Sequence, residues 1–583
     1  MDNRTVADIF LSIADILEVK GENIFRVRAY RTAALNLKAM AERVEDIAKN
    51  NPDELSKIEG IGKDLKDKIL EILKTGRLKY HDDLIKEFPQ GFFDMLSLSG
   101  MGPKRLAKLR DEFGIANIDD LEKAAKAGKV SKIEGLGEKV EQNLLSSIEL
   151  YKKHKDRALI QEAEVIANHI IAYLKKSKLF TRIEKAGSLR RGLETIGDID
   201  ILASSKHHDK AMGYFASYPG LEKIIAKGPT KTSLLLKGEM QVDLRIVDDS
   251  SFGAALQYFT GSKAHNVKLR TLAKNRGLKV NEYGVFEISS SGKDEDEKEG
   301  KLVASKTEEE VYECLGLEWM PPELREDRGE IEAAKDSKLP RNLITLKHIK
   351  GDLHVHSTAS DGRNSIEEMA ERAKELGHEY LAFCDHSQLI KIAHGLDETR
   401  LLRHADNIRK ISSRLKGITL LAGVEVDILK DGKLDIADSV LRELDVVVAA
   451  IHSNFSLEME EQTARILKAL DNKYVNILAH PTGRLITRRS PMEIDFERIF
   501  KHAQENKVHM EINTHGDRVD LNDILARRAK KSDLKFSIDS DSHGVESLET
   551  IRYGVTSARR AWLEKDDVIN TYSLEDLRKL LRR

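Results

Sequence analysis

Over residues 1 to about 150, apolar residues recur three and four positions apart, as at Ile9, Ile13, Ile16 and Leu17, with few strand-like alternations. That period lines one face of an α-helix, so the stretch is predicted to be almost entirely helical. From about 155 to 290 the pattern mixes helices with short β-rich runs such as "DIDILAS" and "QVDLRIV". Beyond about 346, the runs "HEYLAFCDH", "ITLLAGVEV", "DVVVAAIHS", "VNILAHP" and "KVHMEIN" alternate with helical segments. Strand and helix in turn predict a parallel sheet covered on both faces and closed as a barrel. Two polar stretches interrupt the pattern. "SSSGKDEDEKEG" (289 to 300) reads as a flexible surface loop, and "MPPELREDRGEIEAAKDSKLP", from Met320, opens an interdomain linker.

Three similar turns punctuate the helical region: "IEGIGKDL" (58 to 65), "LSGMGPKRL" (98 to 106) and "IEGLGEKV" (133 to 140). Each sets one apolar residue between two glycines (Gly60 and Gly62, Gly100 and Gly102, Gly135 and Gly137) ahead of a polar helix start. Glycine lets the chain turn tightly and approach another molecule, and the first amides of the next helix are unpaired donors aimed at an anion. A single turn of this kind is an ordinary corner. Three within one span indicate helix-hairpin-helix motifs that grip DNA phosphates without reading sequence.

At 583 residues, 40% hydrophobic and 33% charged, the chain is too long for one core and suits several domains. Cys314 and Cys384 are its two cysteines, which excludes a disulfide framework and a thiolate zinc site. Any metal must be held by His and carboxylates. The opening "MDNRTVADIF" lacks the basic region of a secretory signal, and no apolar run approaches a membrane span, so a cytoplasmic protein with no membrane partner is expected. The net charge of -2 does not mark a nucleic-acid binder. Locally, however, Ser250 to Asn281 contains no acid and carries Lys263, Lys268, Arg270, Lys274, Arg276 and Lys279, either a solvated helix face or a nucleic-acid surface.

"GDIDIL" (197 to 202) places two acids in a run that otherwise suits a buried strand. Asp198 and Asp200, two apart, share one face, and repel unless a cation lies between them. A later strand, "QVDLRIV", supplies Asp243. Three converging carboxylates can hold two Mg²⁺ ions shared with substrate phosphates. Upstream, Gly187 and Ser188 of "GSLRRG" offer a backbone amide and a hydroxyl to phosphates, with Arg191 as a forked charge partner.

"GSLRRGLETIGDIDIL" closely resembles the nucleotidyltransferase signature of family X DNA polymerases, the group that includes DNA polymerase beta. "YFTGSKAHNVKLR" (258 to 270) and "GLKVNEYGVF" (277 to 286) resemble that family's nucleotide-selecting segment and the strand after it. The resemblance implies two Mg²⁺ or Mn²⁺ ions at Asp198, Asp200 and Asp243, with Asp243 acting on the primer 3′-hydroxyl. It implies Gly187, Ser188, Arg191 and Gly197 in the nucleotide site, Tyr258, Phe259 and Gly261 lining the sugar pocket, Asn266 contacting the nucleotide, and Arg270 facing the template. Lys263 replaces an acid after "TGS", which is expected to favour the triphosphate, and Gln241 stands where the beta enzyme has an arginine. The N-terminal segment matches the family's lyase domain in outline. Lys68 falls at the Schiff-base position, while Arg26 and Asp64 stand where the beta enzyme has lysines, leaving both a lyase role and a DNA-phosphate contact open.

"GDLHVHSTASDG" (351 to 362) puts His354 and His356 on one strand face, with Asp361 in the next loop. His386, Glu425, His452, His480, and then Asp541 with His543 follow where predicted strands end, as a barrel active site requires. A lone strand histidine is ordinarily a core residue; nine ligand types in this order are not. The domain resembles a PHP domain, named for its polymerase and histidinol phosphatase members. That implies one metal at His354, His356, Glu425 and Asp541, a second at Glu425, His452 and His480, and a third at Asp361, His386 and His543. Zn²⁺ or Mn²⁺ suits such mixed ligands. His394, His515 and Arg484 lie nearby as candidate phosphate contacts.

The fold class expected is multidomain. An all-α helix-hairpin-helix region comprises a lyase-like domain (1–85) and a fingers-type domain (86–150). An α+β nucleotidyltransferase follows, with palm (151–255) and thumb-type subdomain (256–320), then a linker (321–345) and an α/β distorted-barrel PHP domain (346–583). The function this implies is a gap-filling DNA repair polymerase joined to a PHP phosphoesterase acting as a 3′-5′ exonuclease. Its expected partners are gapped or primed duplex DNA and deoxynucleoside triphosphates, and the chain is expected to be monomeric. Two rivals stay open: a small-molecule nucleotidyltransferase with a PHP phosphatase, and a DNA-end scaffold without catalysis.

Overall fold

The computed structural model describes residues 3–40, 43–98, 100–133, 135–155, 157–238, 240–288 and 299–581. The chain divides into two compact units. The first is Met1–Lys153 with Asp361–Ser365 and Arg484–Pro491; the second is His154–Ser360, Ile366–Gly483 and Met492–Arg583.

The first unit is helical, as its apolar period predicts, and has two apolar cores. One runs from Val6 to Leu84, and the other gathers residues from Phe92 to Ile148 with Val19. The three Gly-X-Gly turns fold alike. Each follows a short 3-10 helix and leads into an α-helix: Lys63–Thr75, Pro103–Phe113 and Glu138–His154. The apolar residue between the glycines is buried in each, at Ile61, Met101 and Leu136. Its amide donates three residues back, to Ile58, Leu98 and Ile133, at 3.0, 3.0 and 2.9 Å.

In the second unit, a five-stranded sheet is ordered Arg182–Lys185, Asp198–Ser204, Gln241–Val247, Lys231–Leu236, Leu221–Lys227. Its sole parallel pair is the one that carries the three aspartates. Helices Phe252–Thr260 and Lys263–Lys274 lead to an antiparallel three-stranded sheet. Of the polar insert, residues 289–298 lie outside the described residues, and Glu299 and Gly300 already belong to the strand Glu299–Ala304.

The segment read as a linker is packed rather than a tether. Leu324, Ile331, Ala334, Leu339 and Leu343 join one core with Ala254, Leu269 and Val280. Two of its charges are buried by pairing: Arg325 with Glu308, and Glu330 with His265 at 2.7 Å. Dense charge hid these apolar positions from a reading by composition.

The C-terminal part forms a seven-stranded parallel sheet whose strands neighbour one another in chain order, from Gly351–Val355 to Phe536–Asp539. The His356 amide donates to the Ser542 carbonyl at 2.8 Å and Val355 bridges Ser542, drawing the two edges into a near-closed barrel. Consecutive parallel order is what strand-helix repetition dictates.

Candidate active sites

Asp198 and Asp200 share a face of their strand, and parallel pairing sets Asp200 beside Asp243. The three offer carboxylate oxygens within 4.8 Å of one another. Burial, then the charges of Asp198 and Asp243, push the Asp200 carboxyl up to about 7. Lys231 reaches Asp243 Oδ2 at 2.5 Å and Gln241 Nε2 donates to Oδ1 at 3.0 Å. Gln241 therefore orients the third aspartate directly. Lys231, on the neighbouring antiparallel strand opposite Arg245, was not singled out in the sequence because nothing local ties it to the acids. Carboxylates this close, one held partly protonated, fit an oxygen-ligated divalent cation.

Gly187 has φ +57, and a Cβ there would lie 2.1 Å from Asp200 Oδ2. Glycine at this turn is thus required for the acids to sit against the helix Gly187–Arg190, which holds Ser188. Gly197 packs against Arg157, whose Nη1 would be 3.0 Å from an added Cβ. Arg191 donates Nε to Glu326 at 2.9 Å and Nη1 to the Thr260 carbonyl at 2.5 Å, beside Gly261. Asn266 donates to the Tyr258 carbonyl at 2.7 Å and accepts from Gln257, fixing the aromatic pair Tyr258 and Phe259, whose rings meet edge to face at 5.2 Å. Arg245 stacks on Phe259 at 4.2 Å. Lys263 opens the helix Lys263–Lys274, and Arg270 lies two turns on. In the first unit, Lys68 pairs with Asp64 and lies 5.4 Å from the Tyr80 ring centre, which Arg26 also caps.

In the barrel, Glu425 is the common centre. Its Oε1 lies 2.9 Å from His480 Nε2 and 3.2 Å from His452 Nε2, and its Oε2 lies 2.7 Å from His386 Nδ1 and 3.6 Å from His354 Nε2. Asp541 Oδ1 is 3.1 Å from His356 Nε2, and the His543 ring stacks on His356 at 4.1 Å. His354, His356 and Asp541 form one tight donor group, and His386, Glu425 and His452 another. Asp361 falls in the segment counted with the first unit, as does Arg484. His394 is exposed, whereas His515 stacks on His543 at 4.9 Å with Nδ1 3.7 Å from Asp541.

The electrostatics fit metal ligation. Burial, with neighbouring His543 and His386, holds His356 down at about 4, and burial with Arg518 holds His480 at about 3, so both rings are neutral and able to ligate. Burial opposes charge on His452, but Glu425 and Asp427 prevail and raise it to about 9. Buried His354 Nε2 makes no hydrogen bond among the described residues, and Glu425 Oε2 makes no well-aligned one despite lying 2.7 Å from His386 Nδ1. Buried polar atoms left so, amid imidazole and carboxylate donors, fit Zn²⁺ or Mn²⁺.

The matched family models are the DNA polymerase beta thumb over residues 255–326, a helix-hairpin-helix domain over 1–78, a SAM-like helix-hairpin-helix tandem over 92–149 and the PHP domain over 352–515. A full-length relative is the DNA polymerase/3′-5′ exonuclease PolX of Bacillus subtilis (strain 168), 37% identical over 585 residues, which cover all of both chains. The chain belongs to the PolX family of family X DNA polymerases. A "probable phosphatase" of Acetivibrio thermocellus is 32% identical over 203 residues, which are 33% of this chain and 78% of that protein. A "probable phosphatase" of Thermoanaerobacter sp. (strain X514) is 27% identical over 232 residues, 38% of this chain and 89% of that protein.

In this PolX chain, sequence motifs missed the residues that orient the barrel ligands. Glu511 accepts from His354 Nδ1 and the His480 amide, both at 2.7 Å. Asp427 faces His452 Nδ1 at 3.2 Å. Asp385 gathers His404 at 2.8 Å with Ser357 and Ser360; His404 carried no signal in the sequence. Glu511 and Asp427 thus fix the direction of the candidate ligands that they face. The available signal for Asp385 and Asp427 was their place, at strand ends within two residues of His386 and Glu425; Glu511, in the middle of the strand His509–Asn513, carried none.

Proposed function

We infer that the chain is a template-directed DNA polymerase that fills short gaps in repair and carries a 3′-5′ exonuclease in its PHP domain. The observation that carries this is the pairing, in one chain, of a three-aspartate strand site with a separate histidine-carboxylate barrel site. At the first, Asp198, Asp200 and Asp243 would hold two Mg²⁺ or Mn²⁺ ions, which when bound would supply Lewis-acid activation of the attacking hydroxyl and charge neutralisation for the departing pyrophosphate. Asp243 lies nearest the primer 3′-hydroxyl; Gly187, Ser188, Arg191 and Gly197 receive the triphosphate. Tyr258, Phe259 and Gly261 exclude a ribose 2′-hydroxyl, Asn266 contacts the nucleotide, Lys263 favours the triphosphate and Arg270 faces the template.

At the second, His354, His356, Glu425 and Asp541 hold one ion of Zn²⁺ or Mn²⁺, and Glu425, His452 and His480 a second. Asp361, His386 and His543 hold a third. The Gly60, Gly62, Gly100, Gly102, Gly135 and Gly137 turns grip the DNA backbone, and Lys68 contacts a phosphate or serves as a lyase amine. The expected domain boundaries, except that 321–345 packs with the thumb-type subdomain, together with a monomeric state and a cytoplasmic location, complete the proposal; no helix among the described residues is long and apolar enough to cross a membrane.

A 5′-labelled primer on a gapped duplex with Mn²⁺ tests this. Lengthening with the four deoxynucleoside triphosphates and shortening without them is the expected result. An unchanged primer that still binds would favour a scaffold, and absence of binding a small-molecule enzyme.

A further inference from the structure

The PHP domain touches the turn that carries Arg191. Arg560, the last residue of the PHP helix Ile551–Arg560, is buried. It donates Nη1 to the Arg191 carbonyl at 2.7 Å and to Glu326 at 3.0 Å, and its Nη2 reaches Asp523 at 2.9 Å. The helix is packed closely here: a Cβ on Gly192 would lie 2.1 Å from Thr556 Cγ2. Arg328 pairs with Asp523 at 2.8 Å. The charges thus alternate along a chain of five, Arg191, Glu326, Arg560, Asp523 and Arg328, with one cation in excess.

We propose that Arg560 is a positioning residue for nucleotide addition, keeping Arg191 available to an incoming triphosphate by holding Glu326 in its place. This rests on the reading that Arg191 faces the triphosphate. When Arg191 turns from Glu326 toward the phosphates, the four groups left behind are two acids and two bases, so no buried charge is stranded. Without Arg560, the same movement leaves Glu326, half-buried, without a cation beside it, a costly state that ties Arg191 back to it. The Arg560 bond to the Arg191 carbonyl also fixes the turn from which that side chain swings.

Steady-state filling of a one-nucleotide gap by the full chain tests this. Arg560→Gln is expected to raise KM for the deoxynucleoside triphosphate by roughly five- to tenfold, about the net worth of one ordinary hydrogen bond, with little change in kcat. Retained 3′-5′ shortening reports that the PHP domain is folded. Adding Glu326→Gln is expected to restore KM, which loss of a mere brace would not allow. An unchanged KM in Arg560→Gln, or a rise that Glu326→Gln leaves in place, overturns the proposal. An unchanged KM in Arg191→Gln overturns the underlying reading instead. Should Arg560→Gln not fold, Glu326→Gln alone decides: KM is expected to fall, and an unchanged KM overturns the proposal.

Discussion

Single atoms decide the nucleotidyl site. Gly187 must lack a side chain because a Cβ would sit 2.1 Å from an Asp200 oxygen, at a φ of +57 that already disfavours other residues. Gly187→Ala is therefore expected to cut primer extension about a hundredfold by displacing that carboxylate, while 3′-5′ shortening persists. Asp200 also carries a pH dependence. Its carboxyl is raised to about 7 without a cation, so below that value a proton occupies the site and must be displaced on metal binding. The Mg²⁺ concentration for half-maximal extension is expected to rise as pH falls below 7, by up to about tenfold per unit for one displaced proton. A metal requirement flat from pH 6 to 8 would contradict this. These acids were legible from a period-two strand pattern; Lys231 was not, because its contact to Asp243 depends on antiparallel pairing that no local spacing encodes.

Repetition makes the DNA-facing elements legible. Gly60, Gly100 and Gly135 have φ of +79, +78 and +85, so the turns themselves need them. Gly62 and Gly102 have ordinary extended backbone, and a Cβ on either, or on Gly137, meets nothing within 4 Å. The fold does not require the second glycine, which leaves close approach of a ligand as its physical reason. Gly102→Ala is expected to shift the melting temperature by less than about 4 °C while weakening duplex binding roughly tenfold, measured by thermal unfolding and by a binding titration. The segment from Pro321 to Thr345 shows where pattern reading stops. Prolines and charge gave the appearance of a tether, yet Leu324 and Ile331 bury into the thumb core and Arg325 is neutralised by Glu308, a partner 17 residues away. Pairing of charges over such distances is invisible to composition.

The two chemistries share no residue. The three aspartates lie on an α+β sheet, and Glu425 with its histidines lies in the near-closed barrel. The connection between them is packed, and the three aspartates and Glu425 with its histidines lie in one compact unit. Each should then fail alone. Asp243→Asn is expected to abolish extension and leave shortening at the parent rate. Glu425→Gln is expected to lower shortening by at least about a hundredfold, since it removes the carboxylate that His354, His386, His452 and His480 all face, and to leave extension intact. The second variant demands care over folding, because Glu425 is held far below its usual range by His452, His386 and His354 despite its burial. Removing its charge strips those rings of their counterion. A melting curve with and without added Mn²⁺ therefore accompanies the assay. If Glu425→Gln melts like the parent and still loses extension together with shortening, the two sites are coupled, and separate chemistry in one folded unit is the wrong description.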